Sequence, residues 1–347
     1  MSALRRTVGR ITRGLGLRAR PAPPWVVAEA QPGRVRPLDD FRLFAIVGAW
    51  MEADVIAATV ANAFVQGCER VYLVDNDSPD ETVNVAVAAG ATLAEVFSTS
   101  SYDEVLRLGI MNGVVQRVSE AEGSPHIWWL WLDADEFPHG PRGMTVREYL
   151  ASLDRRFRIV GARFINHFPD REPAYVPGFH PLDFQPLCEE HLVGCRLKHR
   201  KHSLQRFDRD RPPIICDRGF HRADSAERPL REPAEAIYLH HFPYREPGVT
   251  RRRLALLCET DEGGRTRVKE GDDAADGMVP RFQTLDAVYR GDWDQVRNYR
   301  FEGDHSVARP IPWEQLAGPD DTFVARWYGR ETPEEDMRYD LGGAVEH

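Results

Sequence analysis

Between Leu43 and Asp133, four apolar runs of strand length alternate with three stretches of helical spacing. This rhythm restricts the fold more than any other feature of the chain. LFAIVGAW (43–50), RVYLVDND (70–77), ATLAEVF (91–97) and IWWLWLD (127–133) read as strands. In 53–67, Ile56, Val60, Ala63 and Phe64 recur at helical spacing, and Gly67 is a natural stop. Residues 78–90 open on a Ser78-Pro79 cap signature and close on Gly90, and 102–121 read as a third, longer helix. The order β-α-β-α-β-α-β predicts an α/β domain with a mostly parallel sheet flanked by helices. IWWLWL is apolar on both faces, as the central strand of such a sheet must be.

In sheets of this kind ligands bind beyond the carboxyl ends of the strands. Acids gather there. Glu52 follows the first strand, Asp75 and Asp77 end the second, and Asp133, Asp135 and Glu136 follow the fourth. Three carboxylates within four positions, directly after a packed apolar strand, repel one another and require protons or cations. Hard oxygen ligands in this number suit Mn²⁺ or Mg²⁺, which share phosphate oxygens and can neutralise a departing diphosphate.

Composition narrows the partners. A net charge of −9 gives nucleic acid little electrostatic purchase, so no nucleic-acid partner is expected. Five scattered cysteines with no CxxC pair argue against a disulfide framework and a zinc site, and point to the reducing cytoplasm. No apolar run reaches the roughly 18–20 residues of a membrane span. The leader over 1–40 is basic and expected to be disordered, with at most a peripheral contact to an anionic membrane surface. The nucleotide-binding half is expected over 41–157. An acceptor-side half with C-terminal helices of the same domain follows over 158–330, and an acidic tail over 331–347. Within the second half, 158–168 and part of 236–246 read as strands and 248–263 as a helix.

Trp129–Phe137, WLWLDADEF, resembles the DxD motif of GT-A glycosyltransferases, closest to the family 2-like group with a W-x-x-x-L-D-x-D-E-F signature. The opening strand with Glu52, and the second strand ending in Asp75-Asn76-Asp77-Ser78-Pro79-Asp80, are similar to the same group. Met51 departs from it, standing where the group often has Asn. The likeness is strong over 43–140 and weaker over 158–260, where LKHRKHSLQRFDRDRPPIICDRGFH (197–221) and LHHFPYR (239–245) look like its later elements. It implies a GT-A type fold, Rossmann-like, with a smaller mixed acceptor-side region. It implies that Asp75 reads the nucleobase and Glu52 lines the nucleotide pocket. Asp133 would lie near the ribose or metal, with Asp135 holding Mn²⁺ or Mg²⁺ on the diphosphate. A C-terminal histidine adds a metal contact in such enzymes, and His221, His240 and His241 are the candidates.

The implied reaction is an inverting transfer from a nucleoside-diphosphate sugar to an acceptor hydroxyl, with a carboxylate as general base. Asp217, Asp183 and Glu190 are the candidate bases, and no motif selects among them. The acceptor is open between a glycan, a lipid-linked glycan and a small molecule. Arg196, Lys198, Arg200, Lys201 and Arg206 form a basic run in an acidic chain. It reads either as a solvated face or as the complement of the diphosphate, with Lys198 and Lys201 as donor-site candidates. Three other functions use related parts. A sugar nucleotidyltransferase would open on a Gly-rich, basic loop, which VGAWMEAD lacks; a phosphohydrolase would carry its acids near the first strand; a non-catalytic nucleotide-sugar-binding relic would not turn over.

Overall fold

The computed structural model describes residues 25–28, 36–38, 40–99, 103–188, 201–217, 219–220, 222–260, 266–268, 285–295 and 310–316. Most of the basic leader, Glu190, Lys198, His221 and the acidic tail lie outside the described residues.

The N-terminal rhythm is realised as β1 (Arg42–Ala49), α1 (Ile56–Val65), β2 (Arg70–Asp75), α2 (Thr82–Ala88), β3 (Thr92–Val96), α3 (Glu104–Glu122) and β4 (His126–Asp133). All four strands are parallel, in the spatial order β3-β2-β1-β4. Alternation along β1 builds both faces. Leu43, Ala45 and Val47 pack with Ile56, Val60 and Ala63 of α1, while Phe44 and Ile46 pack with Leu108, Met111 and Val115 of α3. β4 divides in the same way: Trp128, Leu130 and Leu132 face one side, and Ile127, Trp129 and Trp131 the other. Its expected central place is thereby explained, since a strand with two apolar faces must be covered on both.

The second half joins the same sheet. β5 (Glu136–His139) and α4 (Val146–Ser152) precede β6 (Ile159–Phe168). β7 (Leu187–Cys188), β8 (Lys201–Asp208), β9 (Ile237–His241), α5 (Pro247–Leu257) and β10 (Ile311–Pro312) complete the principal elements. The sheet has ten strands in the order β10-β7-β6-β8-β4-β1-β2-β3, with β9 pairing β6 and β5 pairing β9. β8 runs antiparallel to both β4 and β6. The α/β class holds, and the sheet as a whole is mixed, with the parallel pairing concentrated in the N-terminal block. Helical crossovers impose that pairing there, whereas the helix-poor connections of the second half allow antiparallel neighbours.

Two local readings are corrected. The helix expected over 248–263 ends at Leu257, and Cys258–Thr260 pairs antiparallel with Thr266–Val268. Ser78 does not cap α2: its hydroxyl and amide are spent on Asp75, and Asp80 accepts the amide of Thr82 instead, at 3.1 Å. Among the described residues no helix is long and apolar enough to cross a membrane.

Candidate active site

Strand register brings the acids together. Gly48 of β1 is level with Asp133 of β4, and Ala49 with Asp75 of β2. Ala134 and Asp135 make a turn after β4, so the chain reverses into β5 and Asp135 stays at the strand end. The antiparallel β5–β9 pair sets His241 opposite Glu136, and the parallel β6–β9 pair sets it beside Asn166. The amide of Phe242 donates to the carbonyl of Asp135 at 3.0 Å, which fastens the turn to the end of β9.

The repulsion anticipated among these carboxylates is met by cations from distant parts of the chain. Asp133 accepts from Arg107 Nη1 at 2.8 Å and from Lys201 Nζ at 3.0 Å. Lys201 also binds Glu136, whose other oxygen accepts the amide of Asp133 at 3.1 Å. Burial opposes ionisation of Asp133, but Lys201 and Arg107 outweigh it and hold the carboxyl well below the usual range. Burial would lower the pKa of the Lys201 ammonium, and Asp133 and Glu136 more than reverse this, raising it. Glu136 goes the other way: burial pushes it up to about 7, with Lys201 only partly offsetting.

A second cluster surrounds Arg245, whose side chain is 1% exposed. Its guanidinium reaches Asp54 at 2.7 Å, Glu52 at 2.5 Å and Asp135 at 3.4 Å, and donates to the carbonyl of Phe242 at 3.0 Å. Arg253 binds the other oxygen of Glu52. Glu52 is nevertheless pushed up to about 8, because burial outweighs Arg253 and Arg245. Asp135 is also opposed by burial, yet His241 and the two arginines hold it far below the ordinary carboxylate range.

His241 Nε2 lies 3.4 Å from Asp135 Oδ2, and its Nδ1 lies 2.7 Å from Asn166 Oδ1. An amide oxygen only accepts, so Nδ1 carries a hydrogen; a protonated ring also donates Nε2–H to the carboxylate, and a neutral one turns the Nε2 lone pair there. Two electron-rich atoms that face each other need a proton or a metal cation between them. A divalent ion with ligand bonds of roughly 2.1 Å fits that spacing and that donor set, one carboxylate and one imidazole held by Asn166, with Arg245 Nη1 3.4 Å from the same carboxylate oxygen. Among the described residues no group of three or more His, Cys, Asp and Glu gathers as a metal site, so further ligands would come from substrate or water.

The other sequence candidates are spread more widely. Asp75 is buried and accepts from the Ser78 amide at 2.7 Å and hydroxyl at 2.6 Å, which rigidifies the end of β2. Asp77 is exposed, with φ 50. His240 points to the opposite face of β9 from His241, as alternation along a strand demands. It is fully buried between His139 Nε2 at 3.0 Å and His167 Nε2 at 2.7 Å, with the Trp313 ring edge-on. Asp183 closes a short 3₁₀ turn, Pro181–Asp183, and Asp217 ends the strand Ile215–Asp217, paired with Arg222–Asp224. Sequence reasoning missed Asp54, Arg107, Asn166, Arg245 and Arg253. Of these, Asp54 ends the quoted VGAWMEAD and Arg245 lay in LHHFPYR; an arginine that reaches an acid from 110 positions away has no local signature.

No protein-family model matches the chain, and no curated protein matches it. Solved structures match in part. Glucosyl-3-phosphoglycerate synthase of M. tuberculosis is 17% identical over 35% of this chain and 44% of its own, with a TM-score of 0.25. The mannosyltransferase PcManGT from Pyrobaculum calidifontis, solved with GDP-Man and Mn²⁺, is 16% identical over 52% of this chain and 48% of its own, with a TM-score of 0.29. A mycobacterial protein is 12% identical over 71% of this chain and 74% of its own, with a TM-score of 0.30. The chain thus spans less than half the length of the two transferases. Overlap at this level is too loose to transfer residue roles.

Proposed function

We propose that the protein is a divalent-cation-dependent glycosyltransferase that moves a sugar from a nucleoside-diphosphate sugar to an acceptor hydroxyl. The observation that carries this reading is the pairing of Asp135 with a histidine that Asn166 orients, at the carboxyl edge of the parallel block of the sheet and within a WLWLDADEF segment. Asp135 and His241 would hold Mn²⁺ or Mg²⁺, which supplies Lewis acidity to the departing diphosphate. Asp133 would stay ionised between Arg107 and Lys201, as a fixed anchor beside the ribose. Glu52 and Asp75 would line the nucleotide, and Lys201, with Lys198, would offset diphosphate charge.

In the transfer, an acceptor oxygen attacks the anomeric carbon as the bond from that carbon to the diphosphate oxygen breaks. The nucleoside diphosphate leaves with the electron pair, and a carboxylate takes the hydroxyl proton. Asp217, Asp183 and Glu190 are the bases considered; in-line attack on the face opposite the diphosphate gives inversion.

The test is thermal stabilisation by UDP, GDP, dTDP and CDP, each with and without Mn²⁺. A ligand present at one hundred times its dissociation constant adds about 2.7 kcal/mol. One nucleotide should raise the melting temperature only with Mn²⁺, and Asp135→Ala should abolish that increment. A shift by metal alone, with none from any nucleotide, would instead favour a phosphohydrolase. No shift by either would favour a non-catalytic relic.

A further inference from the structure

A cleft of about 750 Å³ lies between α3 and the hairpin that carries Asp217. Val105, Leu108 and Gly109 form its helical wall, and Pro212, Pro213 and Ile215 face them. Val105 is 82% exposed and Ile215 47% exposed, so large apolar side chains are held open to solvent on both sides. The walls are pinned to each other. Asn112 donates to the carbonyl of Cys216 at 2.9 Å and accepts its amide at 2.9 Å, so the opening is built into the fold.

Gly109 leaves room at the helical wall. It sits inside a 19-residue helix, where glycine is destabilising relative to alanine. No heavy atom of the protein lies within 4 Å of the position its Cβ would take. An alanine therefore fits there without a clash, as it does at Gly113 of the same helix, so Gly109→Ala leaves the cleft open.

The charges at the rim define the occupant further. Asp217, Asp224 and Arg228 line the cleft, and Arg228 is committed to Asp224 at 2.5 Å. Two carboxylates against one guanidinium disfavour an anion. Leu108 and Cys216 of its lining pack in the same buried cluster as Phe220 and Trp131. Phe220, buried three positions beyond Asp217, lies under both Arg107 at 5.3 Å and Lys201 at 5.2 Å, the two cations that grip Asp133.

We propose that this cleft binds the apolar body of the sugar acceptor, an uncharged alcohol carrying an alkyl or aryl group, and presents its hydroxyl beside Asp217. The assignment rests on the glycosyltransferase reading. It selects Asp217 among the candidate bases, and excludes phosphorylated small molecules as preferred acceptors.

The experiment uses octyl β-D-glucoside below its micellar concentration as the probe, glucose as the tail-less control and glycerol phosphate as the anionic control. Binding is measured by ligand-observed NMR and calorimetry on the full chain, as wild type, Gly109→Ala, Gly109→Phe and Ile215→Asp. Octyl glucoside should bind wild type and Gly109→Ala at least tenfold more tightly than glucose, and glycerol phosphate should not compete. Gly109→Phe, which fills the cleft, and Ile215→Asp, which charges its wall, should each weaken octyl glucoside at least tenfold. Stabilisation by Mn²⁺ with the nucleoside diphosphate should be unchanged in all three variants, which also reports that each is folded. Equal binding to wild type and both cleft variants, or no preference over glucose, overturns the proposal and leaves the donor reading standing. Binding as expected without any nucleotide response keeps an apolar cleft and removes the transferase.

Discussion

Asp133 illustrates how much one side chain depends on distant partners. Its two oxygens are held by Arg107, 26 positions before it, and Lys201, 68 positions after it. Lys201 is the cation common to Asp133 and Glu136, and it is 7% exposed. Lys201→Met would leave the buried Glu136 and the half-buried Asp133 short of a counter-charge. Removal of one partner from a buried ion pair costs about 3–5 kcal/mol, so the urea midpoint should fall accordingly, far more than for Arg117→Met in the exposed pair with Glu95. Asn166→Leu tests the imidazole orientation. It should weaken Mn²⁺ binding, read by calorimetry, by about 10–100-fold, the usual effect of removing a group that orients a metal-binding histidine. Unchanged affinity would sink the assigned tautomer. Neither Arg107 nor Asn166 was legible from its sequence neighbourhood, because both act through pairing between strands or across the sheet face.

At the scale of elements, β4 is the strand on which fold and site meet. Trp131 is fully buried and packs against Phe220 at 5.8 Å, beneath the cations of the acid centre. Trp131→Ala should cost about 3–5 kcal/mol by cavity formation, measured by chemical denaturation. α3 is the second such element. Its N-cap Asp103 accepts the amide of Leu106 at 2.9 Å, and Asp103→Ala should cost about 1 kcal/mol. The alternation of apolar runs made β1 to β4 and their helices readable, since each run records which faces are covered. Among the later strands, β6 and β9 were also readable, over 158–168 and within 236–246, whereas β5, β7, β8 and β10 were not. β5 has four residues and β7 and β10 only two each, below any useful periodicity.

Over the whole molecule, burial of titratable groups sets the response to pH. His139, His180 and His240 are held well below the ordinary histidine range by burial, and His167 is lowered to about 3 by the same cause. In the unfolded chain these rings bind protons below a pH of roughly 6.5, while the folded chain keeps them neutral. The unfolded state then holds more protons, so stability falls as pH drops from that value towards 3. Glu52 and Glu136, raised to about 8 and about 7, act in the opposite sense and remove stability as pH rises from the carboxylate range. Four histidines outnumber two glutamates, so the melting temperature should be highest near neutrality and decline towards pH 5. A melting temperature that rises on acidification to pH 5 would contradict the buried, neutral state of these rings.

The sequence by itself determined the α/β class, the central place of β4 and the concentration of acids at the carboxyl edge. All three follow from local pattern: apolar runs of strand length, helical spacing between them, and carboxylates at the run ends. Tertiary structure alone decided which cations meet those acids, which of His240 and His241 faces Asp135, and where a cleft opens beside Asp217. Those outcomes depend on register between strands far apart in the chain. A shift of one residue in β9 would exchange the two histidines, and no local pattern specifies that register.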